Sequence, residues 1–422
     1  MNIPGSSALR RILILCLCLA LGVGIAACGG GSSSTSGGST ASEEPAEETG
    51  TETPPAETES EGESESEGET ETASAEGEYG QLEIGELNFD MSKYCGEKPT
   101  VVGAIDGFGG NTWRVETRAL VEKTAKECPN VTEVKYFDAN LDPEKFNSTI
   151  SAWAAQGVNI IVAFDDFGQS AVPAFKAAQL AGVKVVTDNA IPGNAQIPGD
   201  VTAAVIPDFE KGGKEWVEFL NEATKEKGQI ALIGGPAGNQ FDTPSQEAME
   251  KAIEETGAGV EFVESEPVVA NWELAKTQQA TAALLNKYPD LNGVVLTAMF
   301  AAPAVNRAFE AAGKPLPAIA GQSSSNEVIC EIHEKQQKEP NYNVFSLDGS
   351  AQQAALALAK GMAAYQEIEA PELGPTDEPT KANYKVYIDT LKDMLPPCEK
   401  SLPGGADLST ALTKSEIEEV VK

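Results

Sequence analysis

Acids, amides and aromatic residues recur immediately after short apolar runs in this 422-residue chain. They read Asp106-Gly107-Phe108, Asp138-Ala139-Asn140, Phe164-Asp165-Asp166, Asp188-Asn189, Gly234-Gly235-Pro236, Thr297-Ala298-Met299 and Gly321-Gln322-Ser323. Planar amides and carboxylates bind pairs of hydroxyl groups, and aromatic faces cover apolar C–H surface. Such a set suits recognition of a small ligand. Asp165 and Asp166 could in principle do acid–base work, but adjacent acids on a loop are more often solvated or bound to ligand hydroxyls. Other catalytic patterns fail. There is no GxSxG elbow and no P-loop, and Gly107-Phe108-Gly109-Gly110-Asn111-Thr112 breaks the dinucleotide fingerprint at its last glycine. The single histidine, His333, sits among charged residues in CEIHEKQQ and reads as a surface position. No His/Cys cluster has zinc spacing, so neither a metal nor another cofactor is expected.

These residues need a scaffold that brings strand ends together. From Pro99 onward, short apolar runs alternate with helical segments: TVVGAI, VTEVKYF, NIIVAF, VKVVT, VTAAVI, QIALIGG, VEFVE, GVVLT, AIAG and NVFSL. Short, β-branched, non-alternating runs are those of buried parallel strands. Between them the apolar period is 3.6. In DPEKFNSTISAWAAQG, Phe146, Ile150, Trp153 and Ala154 form one stripe, Asp142 can cap the start, and Pro143 suits the first turn. The alternation predicts an α/β fold with parallel sheets. Ten strands exceed one compact core of this size, so two sheets of five or six in two domains are expected. In open parallel sheets ligands bind beyond the carboxyl ends of the strands, where the residues above lie.

The N-terminal part has different chemistry. Met1–Arg11 carries two positive charges and no acid, and Ile12–Ala27 is an unbroken apolar run. It is shorter than the roughly 20 residues of a spanning helix and reads as a secretory signal over 1–27. Ile25-Ala26-Ala27-Cys28 resembles the bacterial lipobox, which makes Cys28 the expected lipidation site. The following stretch, 28–92, is rich in Gly, Ser, Thr, Pro and Glu, with no Lys or Arg. It buries too little apolar surface to offset the entropy of ordering it. As a flexible tether of about 65 residues it reaches roughly 45 Å. Eighteen of the chain's 65 acids lie between Glu43 and Asp90, and two of its 30 bases lie in the signal. The remainder holds 47 acids and 28 bases, still 19 negative charges in excess. That composition argues against a nucleic-acid partner.

Cys16 and Cys18 leave with the signal, and Cys95, Cys128, Cys330 and Cys398 remain, an even number that fits an oxidising compartment. Three pairings are open. Cys95 precedes the first predicted strand and Cys128 ends the helix after it, two ends that meet in a strand–helix unit. This favours Cys95–Cys128 and, by remainder, Cys330–Cys398.

The segment from Pro99 to Met394 resembles the type I periplasmic sugar-binding proteins of ABC transporters, the ribose-binding-protein group. The resemblance rests on AAQGVNIIVAF, AFKAAQLAGVKVVTDN and WELAKTQQATAALLNKYPDLNGVVLTAM, followed by AVNRAFEAAGK, in that order. It implies a two-lobed type I periplasmic-binding-protein fold, each lobe a mostly parallel sheet flanked by helices. The first lobe would comprise 93–207 and 348–383, the second 208–347 and 384–398, with 399–422 as a C-terminal tail. Crossings would fall near Pro207, Leu347 and Asn383. The implied function is a non-enzymatic, monomeric, extracytoplasmic lipoprotein held to the outer face of the cell membrane, or to the periplasmic side in a host with two membranes. It would capture a sugar, or another small neutral ligand such as a nucleoside or polyol, and deliver it to an ABC transporter permease. A sensor that presents its ligand to a membrane receptor would use the same cleft, and an exported enzyme is the remaining alternative.

Site residues carry over where this chain matches the family. Trp113, with Phe108 nearby, would be the aromatic that stacks on the sugar, although Trp113 also shares a helical stripe with Leu120, as a core residue would. Asp188 stands at the aspartate that accepts from sugar hydroxyls, and Asn189 replaces the arginine that commonly follows. Trp272 matches an aromatic at the start of a second-lobe helix and points away from the stripe of Leu274, Thr281 and Leu285. Gln322 stands where many relatives have an aspartate, and Gln240 and Asp166 complete the set. No arginine is present near Asp242-Thr243, and Ala298-Met299 replaces the usual asparagine or acid. A pocket less charged and more apolar than an ordinary monosaccharide site is therefore expected.

Overall fold

The computed structural model describes residues 87–190, 192–382 and 384–421. The signal over 1–27, Cys28 and the tether as far as residue 86 lie outside the described residues.

In the first half, β1 (Thr100–Asp106), α1 (Thr112–Lys126), β2 (Val131–Asp138), α2 (Pro143–Ala155), β3 (Ile160–Phe164), α3 (Val172–Leu180), β4 (Lys184–Asp188) and β5 (Ala203–Pro207) alternate as the apolar periods dictate. The α2 segment shows how. Asp142 accepts from the amides of Glu144 and Lys145, Pro143 opens the helix, and Phe146, Ile150 and Trp153 are its buried residues. Then come α4 (Phe209–Ala223), β6 (Gly228–Gly234), α5 (Asp242–Thr256), β7 (Val260–Phe262), β8 (Val268–Val269), α6 (Leu274–Lys287) and β9 (Leu291–Leu296). The chain continues through α7 (Ala302–Ala311), β10 (Ala318–Gln322), α8 (Asn326–Gln336), β11 (Val344–Leu347), α9 (Gln352–Gln366), β12 (Thr380–Ala382), β13 (Val386–Asp389) and α10 (Lys414–Val420). Among the described residues no helix is long and apolar enough to cross a membrane.

The strands form two sheets. One has the order β12-β5-β4-β3-β1-β2 and is parallel throughout. The other runs β13-β11-β10-β9-β6-β7, with β8 also on β6, and only β13 is antiparallel. Each sheet is covered on both faces. Around the first, Val121 of α1 and Leu358 of α9 pack on one side, and Ile150 of α2 and Phe175 of α3 on the other. Around the second, Trp216 of α4 and Met249 of α5 oppose Leu285 of α6, Phe309 of α7 and Ile329 of α8. Parallel strands buried on both faces explain why the runs show no polar alternation. The chain passes from the first sheet to the second after Pro207, returns after Leu347 on the way to α9, and passes again between Ala382 and Val386.

Both ends of the folded body differ from expectation. Met91 is fully buried and Phe89 packs against the same core, so the body starts before residue 93. The segment after residue 398 is no free tail, because Leu402, Ala406, Leu412, Ile417 and Val421 are all buried. Cys95 is bonded to Cys128 and Cys330 to Cys398.

Candidate functional site

The first-lobe wall is built from the end of β1. The Asp106 carboxylate accepts from the amides of Phe108 (2.9 Å) and Gly109 (2.8 Å), which turns the chain sharply into α1. Gly109 supplies the positive φ of +58° that this turn needs. Asn111 caps α1 by accepting from the amide of Arg114. The first helical turn then presents Trp113 and Arg114. The Trp113 indole N–H donates to the Gly349 carbonyl (2.9 Å), and its ring meets Phe164 edge-on. The Arg114 guanidinium donates to Asp106 (2.8 Å) and Asp166 (2.9 Å) and lies 3.3 Å above the centre of the Phe164 ring. A cation on the first turn opposes the helix dipole, so its carboxylate partners are what hold it there. Burial works against the guanidinium's charge, but Asp106 and Asp166 outweigh it and raise its pKa.

The second-lobe wall centres on Trp272. Asn271 and Trp272 both have φ near +51°, a backbone region that bulky residues rarely occupy. A side chain at Gly235 would strike the Trp272 ring, so this glycine makes room for it. The indole N–H donates to the Thr297 hydroxyl (3.1 Å), which donates to Asp242 (2.7 Å). The other Asp242 oxygen accepts from the Gly235 amide and the Asn239 side chain. Burial raises the Asp242 pKa, and the bonds from Thr297, Asn239 and Gly235 pull it back. Gln322, the last residue of β10, is buried and its Oε1 has no hydrogen-bond partner.

Between the walls lies a cavity lined by Trp113, Arg114, Phe164 and Asn189 of the first lobe and by Trp272, Thr297 and Gln322 of the second. Its volume is about 30 Å³, room for a water molecule or two. The Phe108 ring stands 5.9 Å from that of Trp272 across the cleft, and the Arg114 guanidinium 5.6 Å from the same indole. The lobes are therefore closed on each other, and a ligand the size of a sugar ring enters only if they part.

The expected residues are not all gathered here. Trp113, Asn189, Trp272 and Gln322 line the cavity, and Phe108 covers Trp272. Trp113 also belongs to a buried cluster with Leu120, so the core reading and the cavity reading both describe it. Asp166 stands behind the cavity as the partner of Arg114. Asp165 accepts from the amides of Phe167 and Gly168, so neither acid is solvated. Asp188 borders a separate cavity of about 20 Å³ within the first lobe, shared with Asp106 and Tyr136. Burial, reinforced by Asp106, pushes the Asp188 carboxyl up to about 7. Burial likewise pushes Asp166 up to about 6, although Arg114 pulls it down. Burial thus opposes the charge of both carboxyls, and the Arg114 guanidinium favours it. Gln240 is not among the lining residues; its amide donates to the Gly238 carbonyl and its side chain lies against Gly168. Trp272 precedes α6 rather than starting it, and Leu274 is 44% exposed, so it does not belong to that helix's buried stripe. His333 bonds the Pro396 carbonyl in the second lobe.

Arg114, supplied from α1 instead of the second lobe, adds to the cavity lining a charged residue that the sequence reading did not name, paired there with Asp106 and Asp166. Its signal in the sequence was an arginine in the first turn of the helix after the first strand, where the dipole disfavours it. Phe241 and Phe300, which also line the cavity, carried no such signal.

Fold and cleft together define the two-lobed architecture of a binding protein. The periplasmic binding protein domain model matches residues 105–370, more than half of the chain. The chain belongs to the periplasmic binding protein family. Among solved structures it is similar to a glucose-galactose binding protein from Geobacillus stearothermophilus, with 18% identity and a TM-score of 0.58 over 71% of this chain and 99% of that one. An ABC transporter periplasmic solute binding protein from Actinobacillus succinogenes with bound D-allose is 20% identical, with a TM-score of 0.54 over 68% and 97%. A solute binding protein from Bacillus halodurans with bound myo-inositol is 19% identical, with a TM-score of 0.56 over 70% and 96%. These likenesses establish the shared fold. Among curated proteins nothing matches the chain.

Proposed function

We propose that this protein is an extracytoplasmic solute-binding lipoprotein that closes its two lobes on a small neutral sugar or polyol and delivers it to an ABC importer. The observation that carries this reading is the meeting of Trp113 and Asn189 with Trp272 and Gln322 at one interlobe cavity. The indole rings supply faces for the C–H surface of a saturated ring, and the unpartnered Gln322 oxygen is an acceptor suited to a hydroxyl. The family supports binding over catalysis. Solved relatives that hold D-allose and myo-inositol support a hydroxylated ring as the ligand class. The lipid anchor is read from Ile25-Ala26-Ala27-Cys28.

Two experiments test this. Native mass spectrometry of protein purified from its producing cells should show a retained species with the mass of a neutral hydroxylated ring. A retained anion or peptide would refute the ligand class. Cys28→Ala should move the protein from the membrane fraction into the medium or periplasm with its fold intact, and membrane retention at the wild-type level would refute the anchor.

A further inference from the structure

The segment that follows Cys398 touches both lobes. On the second-lobe side it is tied covalently through Cys330–Cys398. The Asn326 side chain exchanges hydrogen bonds with the Glu399 backbone in both directions, at 2.8 and 3.0 Å. The amides of Asn326 and Glu327, at the start of α8, donate to the carbonyls of Ala406 and Gly404, each at 2.7 Å. On the first-lobe side the Asp407 amide donates to Glu116 of α1 (2.9 Å). Leu412, Ile417 and Val421 pack with Leu120 in one buried cluster, and Lys123 pairs with Glu416 at 2.9 Å.

The same segment reaches the cavity wall. The Ser409 hydroxyl donates to Asp407 and accepts from the Gly349 amide. The Gly349 carbonyl in turn accepts from the Trp113 indole. Asp407 sits so close to Gly349 that any side chain there would strike both it and Trp113. Leu412 and Ala406 share the cluster that contains the Trp113 ring.

We infer that residues 399–421 form a strap, a fourth link between the lobes beside the three crossings, which limits their opening and fixes Trp113 in the cavity wall. Asp407 and Ser409 are its positioning residues. When the lobes part, α1 and α8 move relative to each other, and both are fastened to this one segment. The α8 attachment is covalent, so the contacts on α1 are those that must yield. The inference takes over the reading of the cavity as the binding site, but its test is read without ligand and stands apart from that reading.

Hydroxyl-radical footprinting of the full chain, read by mass spectrometry, tests it. Phe108 and Trp272 cover each other across the cleft, and Trp272 is held by Thr297, Phe108 and Arg114, so its labelling rate reports opening. Trp216, buried inside the second lobe with its indole bonded to Gly321, reports integrity. In Cys330→Ser/Cys398→Ser and in Ile417→Asn, Trp272 should label at least about threefold faster than in the wild type, with Trp216 unchanged. Unchanged labelling of Trp272 alongside unchanged Trp216 overturns the strap. If Trp216 labelling also rises in those variants, Ser409→Ala decides. It removes one hydroxyl and should raise Trp113 labelling alone, and no change at Trp113 overturns the inference.

Discussion

Arg114 is the residue on which the first-lobe wall turns. It is the cation in a cluster that also holds Asp106, Asp166 and Asp188, all buried. Removing one member of a buried, hydrogen-bonded ion cluster leaves uncompensated charge, at a cost of about 3–5 kcal/mol. Arg114→Met should therefore lower unfolding stability by about that amount in urea titration, and a loss below about 1 kcal/mol would show that the cluster is not paired as described. Trp113, Trp272 and Gln322, which line the cavity, were named from the sequence because they stand at positions where the family resemblance implies ligand contacts. The chemistry of Asp188 was legible but not its placement. Whether a strand-end acid faces the cleft or the interior of its own lobe depends on side-chain direction, and here Asp188 is buried within its lobe, where Arg114 favours its charge while burial and Asp106 oppose it. The relay from Trp272 through Thr297 to Asp242 joins a loop residue before α6, the residue after β9 and the first residue of α5, and leaves no trace in local sequence.

At the scale of elements, the ten predicted strands correspond to β1–β7 and β9–β11, short apolar runs of which most are buried, while the edge strands β2 and β7 are only partly so. The sequence reading missed β8, β12 and β13. They have two to four residues each and are specified by the sheet edges they join, a tertiary effect that no short window contains. The bond between Cys95 and Cys128 joins the start of the first strand–helix unit to the end of its helix, with a sequence separation of 33. By loop-closure entropy it stabilises the fold by about 3–4 kcal/mol. Cys95→Ser/Cys128→Ser should lower the unfolding free energy by that amount while leaving the closed cleft intact, as circular dichroism and denaturant titration would show. A change below about 1 kcal/mol would mean that the unfolded chain is already constrained there.

Over the whole molecule, the excess of acid governs the response to pH. Burial pushes Glu116 up to about 9, Asp165 to about 8, Asp348 to about 8 and Asp188 to about 7. In an unfolded chain such carboxyls titrate near 4. Between those values the folded protein keeps protons that the unfolded chain has released, so it loses stability as pH rises. The contribution is complete below about pH 4 and is gone once pH passes each folded pKa. Lys360, lowered by burial to about 8, acts in the opposite sense at higher pH, a single group against these several carboxyls. The urea midpoint should be higher at pH 5.5 than at pH 8.5, and Glu116→Gln, which imitates the protonated carboxyl, should flatten the decline. A midpoint that rises with pH over this interval would contradict the burial of these groups.

The central claim is that Trp272 and Gln322 close on a neutral hydroxylated ring held against Trp113 and Asn189, and thermal unfolding with a defined panel tests it most directly. The panel is D-glucose, D-galactose, D-allose, D-arabinose and myo-inositol. A ligand that binds only the folded form raises Tm in proportion to the logarithm of its concentration over Kd. The account predicts that at least one of these compounds raises Tm at millimolar concentration. It also predicts that the rise shrinks in Gln322→Leu, consistent with a loss of about 1 kcal/mol for a hydrogen bond, and vanishes in Trp272→Ala. No rise with any of the five, or a rise that persists undiminished in both variants, would contradict it.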